Sequence, residues 1–159
     1  MIREMLGIAE GILQDLHDDH QEVASLIKNI MDSNDPQQRN VLFKEMKAKL
    51  LAHAHAEQEV LYRRLEASNN GEARSFAGEG TNEHQTVEQQ LQMMSASSDK
   101  TSAQWTEQLT RLRDMVDHHV DEEESTGFSC ARDVFSKEEL ESMEQKFERR
   151  KQELMTQAG

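Results

Sequence analysis

The sequence predicts an all-α fold, an up-down-up-down four-helix bundle with an additional C-terminal helix. Three observations carry this reading. The 159 residues include one proline and 4% aromatics, and they are rich in Glu, Gln, Lys, Leu, Met and Ala, which favour helix. Apolar residues recur at alternating steps of three and four over long stretches, the period of one helix face. The β-branched runs and Gly-rich turns of a β-sandwich or a nucleotide-binding α/β domain are missing from the pattern. The length suits one domain with a real core, and short connections make consecutive helices antiparallel.

The first helix is expected from about Arg3 to Met31, with Leu6, Ala9, Leu13, Leu16, Val23, Ile27 and Ile30 on one stripe. His20 fills the step between Leu16 and Val23 and so lies on that apolar face. Ser33-Asn34-Asp35-Pro36 reads as a turn that starts a second helix, with Asp35 as cap and Pro36 in the first helical position. This helix runs to about Ser68, where Ser68-Asn69-Asn70-Gly71 opens a loop. The third helix is clear from Thr81 and carries His84, Val87, Leu91 and Met94, while Gly78 and Gly80 leave its start open. A polar connection from Ser95 to Ser102 follows. The fourth helix places Trp105, Leu109, Leu112, Val116, His119 and Glu123 on one stripe, and Ser125-Thr126-Gly127 weakens its end. Ser136-Lys137-Glu138-Glu139 is a capping box that opens a fifth helix bearing Leu140, Met143, Phe147 and Leu154. Residues 1–135 thus form the bundle. Residues 136–159 form an amphipathic helix packed on the bundle or at a dimer contact, the chain being a monomer or homodimer.

A net charge of −13 argues against nucleic acid or an anionic membrane surface as partner. No apolar run approaches the roughly 18 residues of a membrane span. The opening MIREMLGIAE has acidic residues where a secretory signal needs an apolar stretch. The single Cys130 cannot make an internal disulfide and reads as an inert thiol. The expected location is cytoplasmic.

Asp19-His20-Gln21-Glu22-Val23 matches Glu83-His84-Gln85-Thr86-Val87, an internal repeat of 64 residues. The same spacing links His55 to His119 and Glu59 to Glu123. Each half therefore offers a His followed by a His-x-x-x-Glu pair, and residues at i and i+4 share one helix face. Two such hairpins packed together bring His20, His55, Glu59, His84, His119 and Glu123 into one core with approximate two-fold symmetry. Unpaired buried carboxylates cost several kcal/mol by typical magnitudes, and two facing each other take up protons. Cations remove both problems. Nitrogen plus oxygen without thiolate suits Fe, Mn or Zn. Four His and two bridging carboxylates suffice for two ions, with coordination positions left for water or a small ligand.

His118 with Glu122 is an alternative i, i+4 pair; His119 with Glu123 is preferred because it lies on the Trp105–Val116 stripe and obeys the repeat. His53 and His118 read as surface or boundary residues, and Glu57 and Asp121 as solvated ones. His17, one turn before His20, is a candidate to stand behind the ligands. Glu88, one turn after His84, is a candidate seventh ligand. Tyr62, one turn after Glu59, packs, donates a hydrogen bond to a ligand or takes part in redox chemistry, packing being the first expectation.

The order His, His-x-x-x-Glu, His, His-x-x-x-Glu resembles the hemerythrin-like HHE cation-binding family. The segments DDHQEV, HAHAEQEVLY, NEHQTV and HHVDEEE are similar to that family's four helix motifs, and the likeness covers about residues 10–135. The resemblance implies a four-helix bundle around a non-haem di-iron centre, with His20, His55, Glu59, His84, His119 and Glu123 as ligands. Oxygen-carrying hemerythrins have a second His one turn after that of the third helix; Glu88 stands there, and a more anionic set favours the oxidised metal. The implied cofactor is two Fe ions, ahead of Mn or Zn. The implied partner is a small diatomic ligand, dioxygen or nitric oxide, unless the chain simply holds iron. The alternatives are an enzyme acting on peroxide or repairing iron centres under oxidative or nitrosative stress, and a metal-free helical interaction protein.

Overall fold

The computed structural model describes residues 10–158, and among them every regular element is helical. α1 spans Ile12–Asp32 and α2 spans Pro36–Glu57. A π-helical turn, π1 (Gln58–Tyr62), carries α2 without a break into α3 (Arg63–Glu66). α4 spans Gly71–Ser95 and α5 spans Ala103–Glu122. A second π turn, π2 (Glu123–Gly127), leads into α6 (Phe128–Val134), and α7 (Lys137–Ala158) follows. The expected residues Arg3, Leu6 and Ala9 lie outside the described residues.

Local chemistry sets the boundaries. The Asp35 carboxylate accepts from the Gln38 N–H, with Pro36 at the first helical position. Asn70 caps α4 through the Ala73 N–H, so this helix begins ten residues before Thr81. Gly78 and Gly80 lie inside it. Ser102 caps α5 through Trp105. The expected capping box forms: the Ser136 hydroxyl accepts from the Glu139 N–H while the Glu139 carboxylate accepts from the Ser136 N–H. Gly11, at φ +51°, ends the approach to α1, and a Cβ there would stand 2.4 Å from the Leu140 backbone.

α1 doubles back on α2. Arg39, near the start of α2, donates to the Ser33 and Met31 carbonyls at the end of α1, while Asp19 meets His53 further along both. α4 and α5 form the second hairpin, with Trp105 Nε1 donating to the Met94 carbonyl. α7 packs on α1 and α2, burying Leu140, Met143 and Phe147.

Among the described residues the interior consists of two apolar clusters. One holds Leu16, Leu61, Phe76, Phe128 and the α7 residues; the other holds Val23, Leu50, Val87, Trp105 and Val116. Each of the four bundle helices passes from one cluster to the other at a histidine: α1 between Leu16 and Val23, α2 between Leu50 and Ala56, α4 between Ala77 and Val87, and the α5–α6 rod between Val116 and Phe128. A polar layer therefore crosses the middle of the bundle. Among the described residues, no helix is long and apolar enough to cross a membrane.

Candidate metal centre

The polar layer is made by His20, His53, Glu57, His84, His119 and Glu123, all buried. Two members of the expected set are not there. The His55 ring is 46% exposed and lies 3.1 Å from Glu88 on the surface. Glu59 is held outward by Arg150 of α7, 2.9 Å away. In their place stand His53 and Glu57, expected to be boundary and solvated residues but 4% and 0% exposed. Glu88 pairs with His55 and does not reach the layer. The cause is register. The buried stripe of α2 runs Phe43, Met46, Leu50, His53, Glu57 and Leu61, and Glu59 falls inside π1 with its side chain turned away.

The donors fall into two groups. His20, His53 and Glu123 form one and Glu57, His84 and His119 the other, with the ligand atoms of each group within 4.8 Å of one another. Each hairpin supplies the two histidines of one group and the carboxylate of the other. The carboxylates also span the groups. Glu57 Oε1 is 3.6 Å from His53 Nε2 and 3.3 Å from His84 Nε2. Glu123 places Oε1 2.9 Å from His20 Nε2 and Oε2 3.8 Å from His119 Nε2. Both thus face the histidines of both groups.

All four rings turn Nε2 inward and engage Nδ1 on the outside. His53 Nδ1 meets Asp19 at 2.8 Å, and His119 Nδ1 meets Glu83 at 2.6 Å. His20 Nδ1 meets Glu124 at 2.7 Å, and His84 Nδ1 meets the Gln58 side-chain oxygen at 2.8 Å. A ring that donates its Nδ1–H to an acceptor keeps an Nε2 lone pair for a cation. His17 stands one layer further out, 2.9 Å from Glu124. Tyr62 is buried, stacks on His84 with ring centroids 5.2 Å apart and donates its O–H to Glu123 Oε2.

The electrostatics are those of a layer short of positive charge. Burial pushes the Glu57 carboxyl well above the usual range, and Glu123 beside it pushes the same way. Burial would raise Glu123 too, but its contacts with Glu57 and His20 hold it well below the carboxylate range. For His20, burial is outweighed by Glu123 and Glu124, and the ring is pushed up to about 9. Burial, reinforced by His119, holds His84 well below the usual imidazole range. The layer also fits cations in its unused valences. Of five buried side-chain atoms without a hydrogen-bond partner among the described residues, four are here: His20 Nε2, both Glu57 oxygens and Glu123 Oε1. His84 Nε2 and His119 Nε2 are 3.0 Å apart, close to the separation of neighbouring ligands each about 2.1 Å from one ion.

Over residues 11–131 the sequence matches the hemerythrin HHE cation binding domain. The chain belongs to the hemerythrin HHE cation-binding family. It is also 33% identical over 146 residues to a protein named DNA nickase from Nostoc sp. (strain PCC 7120). That alignment covers 89% of this chain and 39% of the relative, so the chain spans about two fifths of the length of the curated protein it matches. No solved structure matches it.

A cavity of about 30 Å³ abuts the layer of this HHE domain on the Trp105 side. Val23, Leu50, Val87 and Val116 line it, each three residues from a layer histidine, and His20, His53, His84 and His119 face it. Cys130 takes no part: its Sγ is buried, contacts Glu72 at 3.4 Å, and burial together with Glu72 pushes the thiol up to about 11.

Proposed function

We propose that the chain is a di-iron protein that binds a small diatomic molecule, dioxygen or nitric oxide. The observation that carries this reading is the cavity of about 30 Å³, walled by aliphatic side chains and floored by four histidines. It holds about one water-sized molecule, and its apolar wall favours an uncharged guest. One ion would be held by His20, His53 and Glu123 and the other by Glu57, His84 and His119, each carboxylate also facing the histidines of the other group. Iron supplies open coordination positions and reversible electron transfer when bound. The residues of the chain supply the rest. The Nδ1 partners fix the imidazole orientations, the two apolar clusters exclude bulk water, and the Tyr62 O–H holds Glu123 in place. Contacts between consecutive helices support the up-down-up-down order expected for this architecture.

DNA cleavage, the activity in the relative's name, is disfavoured for this chain. A cavity of this size excludes a phosphodiester, and a net charge of −13 repels a polyanion. The test is spectroscopic. Iron-loaded protein is titrated anaerobically with nitric oxide, alongside Val87→Phe, which fills the cavity and leaves all six ligand residues unchanged. Saturable binding in the wild type, lost in Val87→Phe with iron retained, is the expected result. Equal binding by Val87→Phe, or no binding by iron-loaded wild type, contradicts the proposal.

A further inference from the structure

The two halves of the centre are related by the symmetry of the two hairpins. His20 and Asp19 correspond to His84 and Glu83, 64 residues apart, and His53 and Glu57 take the places of His119 and Glu123, 66 residues apart. The residue after each layer glutamate reaches across to Nδ1 of a histidine in the other hairpin. Here the symmetry breaks. Glu124 offers a carboxylate to His20, and Gln58 offers an amide to His84.

We propose that the two metal positions are inequivalent, the one at His20, His53 and Glu123 holding its ion more tightly than the one at Glu57, His84 and His119, because Gln58 takes in one half the place that Glu124 takes in the other. The inference rests on the two-metal reading above. A hydrogen bond from Nδ1–H to a carboxylate is roughly twice as strong as one to a neutral acceptor, and it raises the basicity of Nε2 toward a cation. The amide has a second weakness. Turned over, it offers N–H to Nδ1, which leaves the proton on Nε2 and removes His84 as a ligand; an ionised carboxylate has no such alternative. Glu124 is further anchored by His17 at 2.9 Å. The remaining Nδ1 acceptors, Asp19 and Glu83, are both carboxylates. Lys151, 2.9 Å from Asp19, tempers that carboxylate but leaves its bond to His53 in place.

The experiment starts from protein loaded with Co²⁺ and equilibrates it with graded chelator, counting cobalt per chain and following its visible absorption. Wild type should release one ion before the other, with chelator midpoints separated by about tenfold or more, the scale of such outer partners. Glu124→Gln and Gln58→Glu are near-isosteric and should each narrow the separation, the first by loosening the tighter ion and the second by tightening the weaker. Gln85→Glu, which adds charge beside Gln58 on the same groove, should leave the separation unchanged. Both ions leaving wild type in one step overturns the inference while leaving the two-metal reading intact. So does a response of both variants no larger than that of Gln85→Glu. Protein that takes up no cobalt refutes the centre itself and this inference with it.

Discussion

Replacing His53 with alanine separates the register seen in the structure from the one the 64-residue repeat suggests. His53 is 4% exposed. Its ring stands edge-on to His20 at 5.1 Å and to Phe147 at 5.7 Å, and its Nδ1 bonds Asp19. Truncating a buried side chain of this size costs about 2–5 kcal/mol. At about 3 kcal/mol, a chain of this length loses about 6–12 °C of melting temperature. One ion also loses a nitrogen ligand, and metal that binds the folded state stabilises it in proportion to its affinity. His55→Ala removes a ring that is 46% exposed and paired with a 36% exposed Glu88, a contact worth about 0–1 kcal/mol. The assay is a thermal melt with metal content measured on the same samples. His53→Ala should melt markedly lower and hold fewer than two ions, while His55→Ala should match wild type in both. A His55→Ala protein emptied of metal beside a fully loaded His53→Ala would refute the placement of the centre.

Tyr62→Phe keeps the ring stacked on His84 and removes the hydrogen bond to Glu123; a loss of about 1.5–3 kcal/mol is expected for a buried bond to a charged group, read by urea denaturation. In Gly127→Ala the new Cβ would stand 2.5 Å from Phe76 Cζ, and overpacking of about 1–3 kcal/mol should appear as a lower melting temperature. Asp15 gives a pH signature. Burial, with Glu148 and Glu144 beside it, raises its carboxyl from 3.8 to about 9. The folded chain then binds more protons than the unfolded chain across that window, so this group's contribution to stability falls as pH rises through it. Asp15→Asn should flatten the decline between about pH 4 and pH 9 in melts across that range, and an unchanged slope would contradict the assignment.

Most of the fold was legible in the sequence because the core reads as steps of three and four, and because Asp35-Pro36 and Ser136–Glu139 are unambiguous helix starts. His20, His84, His119 and Glu123 could be placed for the same reason. α2 is where reading failed. The match of DDHQEV to NEHQTV imposes a 64-residue period, but the connection after α4 is longer than the one after α1. The second-helix pair is therefore displaced by two residues, from His55 and Glu59 to His53 and Glu57. The signal was present: Phe43, Met46, Leu50, His53 and Glu57 continue the alternation that Leu112, Val116, His119 and Glu123 show in α5. The two π turns were not legible, since each adds a residue to a turn without a distinctive composition. The outer partners Asp19, Gln58, Glu83 and Glu124 flank layer residues in the chain, but their bonds to Nδ1 depend on how neighbouring helices face one another.

The most direct measurement is metal content per chain, by mass spectrometry, on protein produced with iron and purified without chelator. Four inward Nε2 atoms and two spanning carboxylates call for close to two irons per chain, falling in Glu57→Gln and unchanged in Glu59→Gln. Folded wild-type protein with essentially no metal would contradict a di-iron centre and reduce the layer to a polar core.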